Sequence, residues 1–189
     1  MKKTLIAALA IVSLAACRQK GGGDFTVSGK IQHAPSSRIF LQQIPFDRQQ
    51  PVVVDSASIA SNGSFSLHAL AKEEGLYRVV IENGPDVLLI NDGSDIKVDM
   101  DVQHYRSYEV KGSPASESLH NLFETYRTKD STLYLAFMEI DSLHKINASD
   151  TLVKAAEARR DQEMKAMNAI VTDFINKSQN ATATYYAIG

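Results

Sequence analysis

The chain has 189 residues, 44% of them hydrophobic and 22% charged, with ten Gly, five Pro, one Cys, no Trp and a formal net charge of −2. That length holds one good core or two small ones, and the composition excludes a disordered chain, a collagen-like chain and a multi-span membrane protein. A single cysteine excludes an intrachain disulfide, a cysteine-based zinc site and a CxxC redox centre.

The first element is Met1-Lys2-Lys3 followed by an uncharged stretch, Thr4 to Ala16, that ends at Cys17. Two lysines, an apolar run and small residues are the three parts of a secretory signal peptide. Thirteen residues in a helix reach about 20 Å, short of the roughly 30 Å hydrocarbon core, so a permanent span is not expected. Leu14-Ala15-Ala16-Cys17 resembles the bacterial lipobox. The resemblance implies cleavage between Ala16 and Cys17 and lipidation of Cys17, with residues 1–16 as the signal peptide and 17–23 as a lipidated tether. Several acyl chains, each contributing about 0.8 kcal/mol per buried CH₂, would hold the chain firmly. Removing residues 1–16 leaves 173 residues and, with Lys2 and Lys3 gone, moves the charge from −2 to −4. No basic patch points to nucleic acid, so the membrane, through Cys17, is the expected partner. The lipobox resemblance implies a cell-envelope location, expected on the outer membrane, and since an acidic run after the cysteine is associated with surface export in the lipoproteins it resembles, the lack of one after Cys17 favours the periplasmic side.

Residues 24–112 read as an antiparallel β-sandwich or open barrel. Phe25, Val27, Gly29 and Ile31 alternate with polar residues, and further strands are expected at 38–43, 52–60, 64–70, 76–82, 86–90, 95–101 and 108–111. Ser61-Asn62-Gly63 predicts a tight hairpin between the third and fourth strands. Residues 113–179 read as a long helical hairpin, the fold class being α+β. Ser113 caps the first helix with Pro114 at its first position, and Asn147 to Asp150 breaks the helical pattern before a second helix from about Thr151 to Ser178. The stripe Met164, Met167, Val171 and Phe174 is read as core. Residues 180–189 look like the start of a further element cut short, with Tyr185, Tyr186 and Ile188 wanting a core.

Chemical motifs are sparse. His33, His68, His104, His120 and His144 lack HxxxH or HExxH spacing, and His120 with Glu124 on one helical face gives only a two-ligand set, so no metal is expected. Asp92, Asp95, Asp99 and Asp101 miss the EF-hand spacing and read as a solvated strand face. No catalytic residue and no cofactor are expected. Asp55-Ser56-Ala57, Asp130-Ser131-Thr132, Asp141-Ser142-Leu143 and Asp150-Thr151-Leu152 resemble the O-glycosylation sequon of Bacteroidota, making Ser56, Ser131, Ser142 and Thr151 candidate acceptors.

Phe25-Thr26-Val27-Ser28-Gly29-Lys30-Ile31, Ile39-Phe40-Leu41, Val54-Asp55-Ser56-Ala57, Gly63-Ser64-Phe65, Tyr77-Arg78-Val79, Asp92-Gly93 and Val110-Lys111-Gly112-Ser113 come in a characteristic order. Together they resemble the β-rich domain of unknown function at the N-terminus of Bacteroidota TlpA/ResA-like thiol-disulfide oxidoreductase lipoproteins. In those proteins a thioredoxin-like domain with a CxxC follows, and none is present in these residues. The resemblance implies a non-catalytic lipoprotein module that positions or presents substrates to such a domain. The alternative is a stand-alone envelope lipoprotein that binds a ligand or partner, with no redox role.

Overall fold

A computed structural model describes residues 22–47 and 50–188. Eight strands come first: β1 (Gly23–Gln32), β2 (Arg38–Ile44), β3 (Val52–Ser58), β4 (Ser64–Ala71), β5 (Leu76–Ile81), β6 (Asp86–Ile90), β7 (Asp95–Asp101) and β8 (Glu109–Lys111). A 3₁₀ turn at Val102–Ser107 separates the last two. The helices α1 (Pro114–Lys145), α2 (Asp150–Lys177) and α3 (Ala181–Ile188) follow. The strands form two four-stranded sheets, ordered β4-β1-β7-β8 and β3-β2-β5-β6, neither closed into a barrel. The expected α+β architecture of packed sheets followed by a helical hairpin is therefore present.

Two features differ from the expected pairing. At the centre of the first sheet β1 and β7 run parallel, with Val27 opposite Ile96 and Ile31 opposite Met100. Between them the chain runs through β2 and β3 of the second sheet, β4 of the first, and β5 and β6 of the second, reversing at each step and so entering β7 from the same end as β1. The Asn-Gly turn forms, with Ala60 N donating to Ser64 O at 2.9 Å, but β3 and β4 belong to different sheets. In place of a regular ladder the Asp55 carboxylate accepts the His68 amide at 2.7 Å, so this hairpin folds over the corner of the sandwich.

The pairings define two ends. The starts of β1, β3, β5 and β7 and the ends of β2, β4 and β6 lie together: Gly23 pairs with Ala71, Gln43 with Val52, Ile44 with Leu76 and Leu76 with Ile90. This end, where β1 enters, is called proximal and the opposite one distal. The inward-facing residues of both sheets, among them Val27, Ile39, Leu41, Leu67, Val79, Ile96 and Val98, form the main core. A second cluster lies on the outer face of the β5–β6 sheet, where Leu76 and Ile90 pack against Ala115, Leu119 and Leu122 of α1 and Ala183 of α3. β5 is thus covered on both faces, which explains its near-continuous apolar run.

A polar knot at the proximal end joins helix to sandwich. Ser113, fully buried, caps α1 by accepting the Ser116 amide at 3.1 Å, and its hydroxyl lies 2.5 Å from Asp92 Oδ1. Asp92 Oδ2 accepts the Ala115 amide at 2.9 Å. The Ser116 hydroxyl accepts the Ile90 amide at 2.8 Å and lies 3.2 Å from the Ile90 carbonyl. Each hydroxyl has one proton, so when Ser113 donates to Asp92 the Ser116 proton is shared between the Ser113 oxygen and the Ile90 carbonyl. Two glycines permit this approach. A Cβ on Gly93 would stand 2.0 Å from the Gly112 carbonyl, and Gly112 has φ +84.

The α1 helix starts beside Ile90 at the proximal end and reaches the distal end by His120, which stacks on Tyr108 at 4.1 Å. None of its side chains beyond Leu122 is buried, and the 23 residues from there to Lys145 carry it about 35 Å further. α2 returns alongside and buries only Ala156 and Met167. The expected core stripe is corrected at Met164, which is exposed because it lies on the part of the hairpin beyond the sandwich. α3 buries Thr182 and Ala183, while Tyr185, Tyr186 and Ile188 stay exposed, since the small side chains are the ones that face β5 and β6.

Ser113→Ala is expected to cost about 1–2 kcal/mol, by loss of a cap and of the bond to Asp92. Ser118→Ala, on the exposed side of the same turn, should stay within about 0.5 kcal/mol. Urea midpoints of the two variants would check both, and equal midpoints would overturn the role given to the knot.

Candidate functional site

Cys17 and Ala16, the lipidation and cleavage residues expected from the sequence, lie outside the described residues. The four candidate glycosylation residues are all exposed and are not brought together. Ser56 lies on β3 beside the Asp55 carboxylate, which accepts its amide at 2.8 Å. Ser131 and Ser142 lie inside α1 and donate to the carbonyls of Arg127 and Met138 four residues back, at 3.1 and 2.8 Å. Thr151 opens the first turn of α2.

The reading of Asp92, Asp95, Asp99 and Asp101 as one solvated face agrees with β7, where Asp95 and Asp99 are exposed and Asp101 partly so, and is corrected for Asp92. Asp92 belongs to the knot at α1, and Asp99 Oδ1 accepts the Lys30 amide at 2.8 Å. Asp101 holds the Nδ1 atoms of His33 at 2.7 Å and of His104 at 3.2 Å on different oxygens, and also accepts the Gln103 amide. The His33 hydrogen bond, ahead of the other contacts, lowers the Asp101 carboxyl to about 2. This trio ties the end of β1 to the 3₁₀ turn. Among the described residues no group of three His, Cys, Asp or Glu is placed to hold a metal ion. His120 packs on Tyr108, burial lowers its pKa, and burial together with Glu124 pushes the Tyr108 hydroxyl up to about 12. Its role is therefore packing, with the imidazole favoured in its neutral form.

A cleft of about 750 Å³ opens at the proximal end between the β4–β5 loop, the start of α1 and the α2–α3 turn. Glu73, Glu74, Asp92 and Lys177 line it. Two of these carboxylates already have partners: Asp92 caps α1, and Glu74 accepts from the Asn180 amide group at 2.8 Å. The cleft can offer hydrogen bonds to a polar ligand. It holds no nucleophile paired with a base.

The other distinctive surface is apolar and lies on the projecting hairpin. Tyr134, Leu135, Phe137 and Met138 of α1 are exposed, as is Met164 of α2. A shallow groove of about 450 Å³ runs along Leu133, Tyr134 and Phe137. The two helices are held together here by Lys129–Glu163 at 3.2 Å and by Arg159–Glu139, with Arg160 over the Phe137 ring at 5.9 Å. Exposed aromatic and aliphatic side chains close together on one element are the usual mark of a contact surface. Of these residues sequence periodicity reads Met164 as core, because it registers the helical spacing and not where the sandwich ends.

Residues 25–119 match the family model described as a domain of unknown function (DUF4369). The match covers the sandwich and the first turns of α1, including the knot and Leu119. No curated protein matches the chain.

Two acid-range effects follow from these pKa shifts. The folded value of Asp101 lies below its free value of 3.8, so its clamp contributes above about pH 4 and is lost as the pH falls towards 2. Asp101→Asn should flatten the urea midpoint between about pH 4 and 2, and an unchanged slope would uncouple the clamp from folding. His120 is also lowered, from 6.5, so the stability it contributes is lost as the pH falls below that value. His120→Phe keeps the ring stack and should remove that loss, again read from midpoints against pH.

Proposed function

We propose, from the premise that this chain belongs to the DUF4369 family, that it is a lipid-anchored module of the cell envelope, not catalytic in itself. Its Cys17 anchor would hold it on the outer membrane facing the periplasm, and its helical hairpin would position substrates for a thioredoxin-like domain of the TlpA/ResA kind found in Bacteroidota. The observation that supports this most is the exposed apolar surface on the hairpin, carried beyond the distal end, away from where the tether joins β1. A tethered module of this shape contributes effective concentration at the membrane and needs no reacting group of its own. The single cysteine agrees with that division of labour, since dithiol chemistry needs two.

A second reading is favoured by the proximal cleft, whose size and polar lining suit a small polar ligand. In that reading the protein is a stand-alone binding lipoprotein with no redox role. The two readings put the working surface at opposite ends of the sandwich.

Titration calorimetry with a purified CxxC thioredoxin-like envelope domain separates them. Leu135→Asp with Phe137→Asp should weaken binding at least tenfold, while Glu73→Gln leaves it unchanged. No binding by the unaltered chain, or binding indifferent to the hairpin changes, would overturn the first reading. Intact mass of protein from its native envelope should show acyl chains that Cys17→Ala removes, together with a shift of that variant to the soluble fraction. The same spectrum tests glycans on Ser56, Ser131, Ser142 and Thr151, which a mass explained by acylation alone would exclude.

A further inference from the structure

A second set of exposed apolar side chains lies at the proximal end, where nothing in the hairpin reading requires it. Leu70 on β4 is 77% exposed, Val53 on β3 52%, Phe46 after β2 50% and Tyr185 on α3 61%. They share the proximal end of the sandwich. The Asp55–His68 bond sets β3 against β4, and two residues further towards the proximal end in each strand stand Val53 and Leu70. Phe46 leaves the end of β2 and meets the Tyr185 ring edge-on at 4.8 Å. Val52 and Val54, also exposed, extend the rim along β3.

The position of this rim decides what it faces. Asp24, the second residue of β1, pairs with Leu70 itself. Only six residue steps separate Cys17 from Gly23, a reach of about 21 Å at full extension. A chain anchored at Cys17 therefore holds Leu70, one residue and one strand spacing beyond Gly23, within about 30 Å of the bilayer surface. Phe and Tyr with aliphatic neighbours suit the interfacial layer, where a ring meets both acyl chain and headgroup.

We infer that the proximal rim of Phe46, Val53, Leu70 and Tyr185 rests on the lipid surface and sets the orientation of the anchored protein, with the hairpin directed away from the membrane. This rests on the anchor reading given under the proposed function. The rim itself is apolar, and around it the acidic Asp24, Asp47, Glu73 and Glu74 are nearly balanced by Lys72, Lys177 and the sequence neighbours Arg18, Lys20 and Arg48, so the contact is assigned to the apolar side chains and is expected on uncharged lipid. With the rim as the base, α1 carries the exposed Tyr134 to Met138 segment outward from the surface.

The test uses the absence of tryptophan and the lone cysteine. The mature chain from Cys17 is coupled through that thiol to a maleimide lipid in phosphatidylcholine vesicles, so tethering does not depend on natural acylation. Leu70→Trp, Phe46→Trp and Tyr134→Trp each provide one emitter at an exposed position. Lipids brominated on the acyl chains should quench the first two variants at least twofold in uncharged phosphatidylcholine and leave Tyr134→Trp unchanged there and when a third of the lipid is made anionic. Equal quenching of all three, no quenching of the first two, or quenching that appears only with anionic lipid would overturn the inference. Failure of the anchor reading would show separately, as unacylated protein in the native mass spectrum, and would leave the vesicle result intact.

Discussion

The arrangement of this protein depends on a few hydrogen bonds between the end of β6 and the start of α1. A helix begins with backbone N–H groups that have no partner within it, and a strand end leaves its own donors and acceptors open. Here each deficit answers the other. Ser113 and Asp92 take the first amides of α1, and the Ser116 hydroxyl takes the amide and carbonyl of Ile90. All of this happens where Ser113 and Ser116 are buried, so an unmade bond has no water to replace it. The direction of α1 is consequently fixed at its base, and over 32 residues, about 48 Å, a small rotation there would move the tip by many ångströms.

The knot also explains the two glycines beside it. Gly93 and Gly112 lie on separate connections, β6–β7 and β8–α1, yet the space for a Cβ on one is filled by the backbone of the other. The sequence shows them as turn punctuation. Their tighter requirement comes from tertiary approach, which no local pattern encodes. Asn91, next to Asp92, extends the same fastening sideways by accepting the Gly75 amide at 2.7 Å and holding the β4–β5 loop. Three consecutive residues, Ile90, Asn91 and Asp92, thereby join strand, loop and helix.

Much of the fold was legible because period two survives in most strands. Ile96, Val98 and Met100 alternate with charged residues in β7, and Phe65 and Leu67 with polar ones in β4, as buried and exposed faces require. Pro114 behind Ser113 marked the helix start for the reason the structure shows. What could not be read was partnership. Alternation says that a strand has a buried face but not which strand lies beside it, so the parallel β1–β7 pair and the hairpin split across the two sheets were invisible. The same limit applies to the aspartates, since Asp99 and Asp101 alternate like surface residues while binding the Lys30 amide and two imidazoles. The candidate surfaces were less legible still, because helical periodicity in Leu133 to Met138 and Met164 does not record that the sandwich has ended.

That boundary gives the hairpin uneven stability along its length. At its base α1 and α3 share an apolar cluster with β5 and β6. Beyond Leu122 the helices hold each other through a narrow apolar seam, with Ala156 buried and Leu133, Ala136, Ile140 and Leu143 half-buried, and through ion pairs such as Lys129–Glu163, which are individually worth about 0–1 kcal/mol. Segments with little buried apolar contact open at low free-energy cost, and cooperative opening of this kind is confined to the tip because the knot anchors the base. A partner that covers Tyr134, Leu135 and Phe137 would therefore add to the narrow apolar contact of the tip, coupling its order to occupancy while the sandwich remains unchanged.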